Sequence, residues 1–195
     1  MKNKSKSQGV ALLALTLTGC FRGDSTRLYL LDAGENAPPV AAATALDGAS
    51  IGLGPIRIAE YLDRPQLVVA VSPHQYRLED KNRWAESLNQ NISRSLAQAL
   101  SRRLPNAQIV RHPWAARQAP DYQLSLEIDQ LHQSSDGYSR LQAQWRIAKA
   151  GKTLVDRRFD CEQAAAADDA EAIVAAQSRC LAALTETLVQ ALRAH

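Results

Sequence analysis

Tyr122-Gln123-Leu124-Ser125-Leu126-Glu127-Ile128-Asp129 alternates apolar and polar residues without a break, and so does Arg140-Leu141-Gln142-Ala143-Gln144-Trp145-Arg146-Ile147. In an extended chain successive side chains point to opposite faces, so each stretch reads as a strand with one buried and one wet face. Between them Gln133-Ser134-Ser135-Asp136-Gly137 supplies turn residues, which makes the pair an antiparallel hairpin. Ala150-Gly151-Lys152 turns again into Thr153–Phe159, extending the hairpin to a meander. A sheet with one apolar face needs a covering layer, and two stretches at helical spacing can provide it. Leu88, Ile92, Leu96, Leu100 and Leu104 repeat every fourth residue within Trp84–Leu104. Ile173, Val174, Cys180, Leu181, Leu184, Leu188 and Leu192 form a second stripe, entered through Asp168 and Asp169, whose carboxylates suit a helix start.

Upstream, Arg27–Leu31, Ile51–Ala59, the continuous apolar run Gln66–Ser72 and the short run His74–Glu79 read as further strands, and Gln108–Arg111 as another. Pro55 cannot donate to a ladder, so the second of these is expected at a sheet edge or a bulge. Asp32–Ser50, with Pro38, Pro39, Gly34 and Gly48, reads as a connecting loop. The expectation is one α+β domain: a mixed, mostly antiparallel sheet with two long helices packed on one face.

The amino terminus carries an address. Met1–Gln8 is polar and basic; Gly9–Thr18 is apolar and about half the roughly 20 residues needed to span a bilayer, the layout of a secretory signal. No later stretch reads as a membrane span. Leu17-Thr18-Gly19-Cys20 looks like a lipobox, in which Cys20 receives a diacylglycerol and cleavage falls ahead of it. The expected organisation is a signal peptide over 1–19, a lipidated tether over 20–26 and a periplasmic domain over 27–195. Phe21 and Arg22, where an Asp would favour inner-membrane retention, imply sorting to the outer membrane. With Cys20 assigned to lipid, Cys161 and Cys180 remain as an even pair in an oxidising compartment and are expected to form a disulfide; the alternative is two buried free thiols.

The net charge of +3 belongs to the signal: Lys2, Lys4 and Lys6 account for it, and the 23 basic residues less these three equal the 20 acidic ones. A formally neutral domain lacks the clustered positive surface that nucleic acid requires. His74, His112, His132 and His195 are scattered and fall in no metal-binding spacing, and neither a nucleophile elbow nor a complete dinucleotide loop is present. The sequence therefore predicts no enzyme, no metal and no cofactor, and a role exercised by contact.

Two stretches carry more than packing. Glu60-Tyr61-Leu62-Asp63-Arg64-Pro65-Gln66-Leu67-Val68 leads from a turn into the buried strand, and Asn82-Arg83-Trp84-Ala85-Glu86-Ser87-Leu88 heads the first helix. With the lipobox, Leu28-Tyr29-Leu30-Leu31 and the Tyr122–Ile128 strand, they make the chain similar to the ABC-type transport auxiliary lipoproteins, the PqiC/YmbA-like group, over nearly the whole mature length. Tyr61–Val68 is the most specific part; Ser87 departs from the pattern, where Pro is expected. The resemblance implies a non-enzymatic docking component at the outer membrane, accompanying an MCE-domain protein and an inner-membrane permease in lipid transport. Oligomeric MCE partners also make a homo-oligomer of this chain an expectation. Tyr61, Asp63, Arg64, Arg83 and Trp84 are the candidate partner contacts, with the polar strand positions Gln142, Gln144 and Arg146 as a second surface. A different reading is a lipoprotein that itself holds a lipid or small hydrophobic ligand between sheet and helices.

Overall fold

The computed structural model describes residues 25–34, 46–115, 119–166 and 168–195. Cys20 and the signal segment lie outside the described residues. Eight strands and two long helices follow in chain order: β1 (Arg27–Tyr29), β2 (Ser50–Ile58), β3 (Gln66–Ser72), β4 (Gln75–Trp84), α1 (Leu88–Arg103), β5 (Gln108–Arg111), β6 (Tyr122–Gln133), β7 (Tyr138–Lys149), β8 (Lys152–Ala164) and α2 (Ala170–Arg193). A single 3-10 turn, Glu60–Leu62, separates β2 from β3.

The expected meander forms, with β7 antiparallel to both β6 and β8 in long registers such as Leu124↔Ile147 and Leu141↔Cys161. The shorter pairings are parallel: β2 with β5 and β6, and β1 with β4. β3 and β4 form an antiparallel hairpin, and β3 meets β6 at Val69↔Gln133. The sheet is thus mixed, with its longest ladders antiparallel.

Both helices cover the same face, α1 against β2 and β5, α2 against β6, β7 and β8. Leu124, Ile128, Leu141 and Ile147 from the sheet meet Ile92, Leu96 and Leu100 of α1 and Leu181, Leu184 and Leu188 of α2 in one buried core. Asp169 caps α2, its carboxylate accepting from the Glu171 and Ala172 amides. α2 is long and apolar enough, by length and composition, to cross a bilayer, contrary to the expectation for later segments; its stripe from Ile173 to Leu192 is instead consumed by the core.

Two boundaries differ from the sequence reading, while the expectation for Pro55 is met as a bulge. Trp84 ends β4 instead of opening α1, because its amide donates to Pro65 O at 2.8 Å and it lies in register with Tyr29. Pro55 does sit at an irregularity, between Leu53 and Ile56, but β2 is an interior strand between β5 and β6. β8 runs on through Cys161 to Ala164, so the cysteine lies within the strand and not after it.

The Cys161–Cys180 disulfide is formed, with Cα atoms 5.6 Å apart, and staples α2 to β8. It closes a loop with a sequence separation of 19. Removing it by Cys161→Ser plus Cys180→Ser is expected to lower unfolding stability by about 3 kcal/mol in the chain-entropy account. Urea unfolding of the native chain should show the same loss on adding reductant, and the double variant should no longer respond to it.

Candidate contact face

The face of the sheet opposite the helices is open. On β7 and β8 its residues oppose one another as Arg140↔Glu162, Gln142↔Asp160, Gln144↔Arg158 and Arg146↔Asp156, a ladder of cross-strand polar pairs. Arg57 of β2 stands in register with Glu127 of β6. Asp156 accepts from the Gln144 amide at 2.9 Å and from Arg146 at 2.7 Å, and these bonds, the first foremost, hold its carboxyl below the usual range. A depression of about 430 Å³ runs between Arg57, Gln123, Glu127, Gln144, Arg146 and Asp156.

The character of the face changes where β6 passes from β2 to β3. The Tyr61 hydroxyl donates to Asp129 O at 3.1 Å and lies 3.0 Å from His132 Nδ1. Tyr76 packs on Tyr61 at 5.0 Å between centroids and meets the His132 ring edge-on at 5.3 Å. Burial, then the neighbouring Tyr76 and Asp129, push the Tyr61 phenol up, so it stays protonated as a donor. Burial first and Arg140 second push the His132 imidazole down. Arg140 closes this end, its guanidinium bonded to Glu162 at 2.7 Å and to both oxygens of Asp136 at 3.0 and 2.5 Å. A second depression, of about 390 Å³, opens between Tyr76, Gln130, His132, Asp136 and Arg140.

The residues singled out in the sequence fall into three kinds of place. The stretches 60–68 and 82–88 do come together, since Gln66 pairs with Arg83 and the Trp84 amide reaches Pro65. Asp63 and Arg64 are exposed on the turn into β3, and Arg83 is half-buried with Nε donating to Asp80 O at 3.0 Å. Tyr61 is half-buried in the aromatic cluster. Trp84 is only 5% exposed, on the helix side with Tyr29 and Leu67, so it is a core residue and not a partner contact. Gln142, Gln144 and Arg146 all stand on the open face, as the alternation predicts.

His132, Tyr76 and Arg140 were not legible as a cluster. The alternation of β6 breaks at a bulge between Ile128 and Gln130, which shifts the inward set and hides the placing of His132. Among the described residues no group of three or more His, Cys, Asp or Glu is placed to hold a metal ion.

Fold and face together define a disulfide-stapled α+β domain that covers one side of its sheet and presents the other as a patterned polar surface. Residues 29–189 match the family described as the ABC-type transport auxiliary lipoprotein component, and the chain belongs to that family. It is 25% identical over 158 residues to the intermembrane transport lipoprotein PqiC of Escherichia coli K12, covering 78% of this chain and 79% of that one. Among solved structures it is similar to an uncharacterised protein with a TM-score of 0.70 at 20% identity, covering 86% of this chain and 99% of the other. A Xanthomonas campestris protein gives a TM-score of 0.67 at 15% identity over 87% and 95% of the two chains. These two likenesses establish the fold.

A buried histidine held neutral makes a pH prediction. The unfolded His132 titrates near 6.5 and the folded one lower, so as pH falls the unfolded chain takes up the proton first. Its contribution to stability is complete above about pH 6.5 and declines as pH falls below that value toward the lowered folded-state one. Denaturant midpoints measured across this window should decline in the native chain and be flatter in His132→Gln.

Proposed function

We propose that this protein is the lipid-anchored auxiliary component of an intermembrane transport system, held by Cys20 in the periplasmic leaflet of the outer membrane and acting by contact, without catalysis. Its partners are an MCE-domain protein, which it receives at the outer membrane, and the inner-membrane permease of the same system. The family match over residues 29–189 carries this reading, and the likeness to a named intermembrane transport lipoprotein supports it. The lipobox Leu17-Thr18-Gly19-Cys20 supports the anchor, and Phe21 after the cysteine supports outer-membrane sorting.

The open face supports the mode of action. Its residues are polar and cross-strand paired, the composition of an interface rim that engages and releases a partner. The interior between sheet and helices is occupied by side chains such as Leu96, Leu100, Leu124 and Leu184 with no exposed surface, which favours contact over ligand storage. Asp63 and Arg64, exposed on the turn into β3, extend that face as proposed contacts, together with the half-buried Tyr61 and Arg83.

Two experiments test this. Cys20→Ser is expected to move the chain from the outer-membrane fraction to the soluble periplasm and to remove the acyl mass from its amino terminus; retention in the membrane fraction would count against the anchor. Charge reversal on the open face by Glu127→Arg with Arg146→Glu leaves the net charge unchanged. It should reduce co-purification of the MCE-domain protein by about tenfold, equal to about 1.4 kcal/mol, at an unchanged melting temperature. Equal capture by the variant and the native chain would exclude this face as the docking surface.

A further inference from the structure

The chain enters the fold along β1, the outermost strand of the end of the sheet formed by β1, β4 and β3. β1 pairs with β4 over Asn82–Trp84 alone, so among the described residues no strand covers that edge of β4 from Gln75 to Lys81. Large apolar side chains are exposed on this end: Leu28 at 64%, Leu30 at 49%, Tyr76 at 44% and Leu78 at 43%, with Val71 nearby at 46%. Soluble surfaces carry single exposed leucines, but a group of them on one edge marks a contact.

The register puts Leu28, Tyr76 and Leu78 on one side. Leu28 is paired with Arg83 and Arg83 with Gln66, while Leu78 pairs with Val68 and Tyr76 with Ala70. Paired residues share a face, and Gln66, Val68 and Ala70 alternate to the same face of β3, so Leu28, Leu78 and Tyr76 stand together. The irregularity in β4 between Glu79 and Arg83 brings the two ends of the strand onto that common face.

The length of chain ahead of β1 says what lies opposite. Six residues, 21–26, separate the anchored cysteine from Arg27, and the seven steps between them reach at most about 24 Å fully extended. A domain of this length is about 40 Å across, so such a tether keeps the β1 edge near the bilayer whatever the remainder does. A tethered apolar strip meets the lipid surface at high effective concentration, which lets a few leucines suffice where a free domain would need many. Arg27, exposed beside Leu28, suits the anionic headgroup layer.

We infer that the β1–β4 edge, through Leu28, Leu30 and Leu78, rests on the phospholipid surface to which the chain is anchored and so fixes the orientation of the domain on the membrane. This rests on the Cys20 anchor proposed above.

The test uses the full lipidated chain in vesicles of phosphatidylethanolamine and phosphatidylglycerol. With Cys161 bonded to Cys180 and Cys20 acylated, a single introduced cysteine is the one thiol that takes a maleimide dye. Leu28→Cys, Leu30→Cys, Leu78→Cys and, as a control on the exposed side of α2, Gln190→Cys are labelled with an environment-sensitive fluorophore. Brominated lipids are expected to lower emission at 28, 30 and 78 by about twofold and to leave 190 unchanged, as a shallow interfacial contact requires. Unquenched, solvent-like emission at 28 and 78 in a chain that floats with the vesicles overturns the inference. Blue-shifted but unquenched emission there shows that a protein partner or a second copy covers the strip, and overturns it as well. A chain that fails to float, or an unsubstituted chain that takes the dye at Cys20, overturns the anchor itself and the inference with it.

Discussion

Strand β6 is hydrogen-bonded to three other strands, and the arrangement of the rest of the molecule follows from how it is shared. One edge belongs to β7 from Tyr122 to Gln133. The other is divided, the first half taken by β2 and the far end by β3, both parallel to it. Because β2 and β3 are consecutive, the chain has to leave β6 and return within residues 59–65. The bulge at Ile128 and Gln130 is where that exchange occurs, and it leaves backbone groups without ladder partners. They are met one by one: Ala59 N donates to Ile128 O at 2.9 Å, and the Tyr61 hydroxyl donates to Asp129 O. Beyond the fork, Gln133 is fully buried and its amide donates to Ala165 O at 3.0 Å, while the Ser139 hydroxyl reaches His132 O at 3.3 Å. Polar residues in this part of the interior are there because the sheet divides.

That account changes the meaning of the most specific motif. Tyr61, Leu62, Pro65 and Leu67 read in the sequence as a turn carrying an aromatic, and hence as a contact. In the fold Leu62 and Leu67 are core residues, Pro65 O receives the Trp84 amide, and Tyr61 satisfies the carbonyl left over by the bulge. The motif specifies the fork first. Asp63 and Arg64, which meet none of these structural demands, are the members of it free to serve a partner.

How much could be read in advance depended on the range over which each interaction acts. The alternation in β6 and β7 and the four-residue spacing in α1 and α2 are local patterns, and they gave the meander, the two helices and the covered face. The disulfide followed from compartment and counting. The β1–β4 pairing spans more than fifty residues, and nothing in Arg27-Leu28-Tyr29 names its partner. Trp84 showed the same ambiguity at close quarters: a Trp four residues before a helical stripe fits a helix head, and the Pro65 carbonyl that makes it a strand residue is nineteen positions away. The cluster of Tyr61, Tyr76 and His132 draws on three separate segments joined through a bulge, so no single window of sequence contains it.

The two sides of the domain are not equivalent as places to meet a partner. On the helix side the entering segment is already bound: the Leu31 and Ala33 amides donate to Asn91 Oδ1 and Ser95 Oγ of α1, and the Asp32 amide to Ser178 Oγ of α2. The helix surfaces there are partly occupied by the protein's own chain, whereas the open sheet face carries no such cover among the described residues. Yet the charges on that face are largely paired with one another, Arg146 with Asp156 and Arg140 with Asp136 and Glu162. A partner cannot draw on them as unspent attraction, because each new ion pair would break an existing one, and exposed pairs contribute at most about 1 kcal/mol. Such a surface discriminates by pattern and shape more than by strength. Firm attachment then has to come from elsewhere, and the membrane anchor proposed at Cys20 would supply it, leaving the sheet face to select what it meets there.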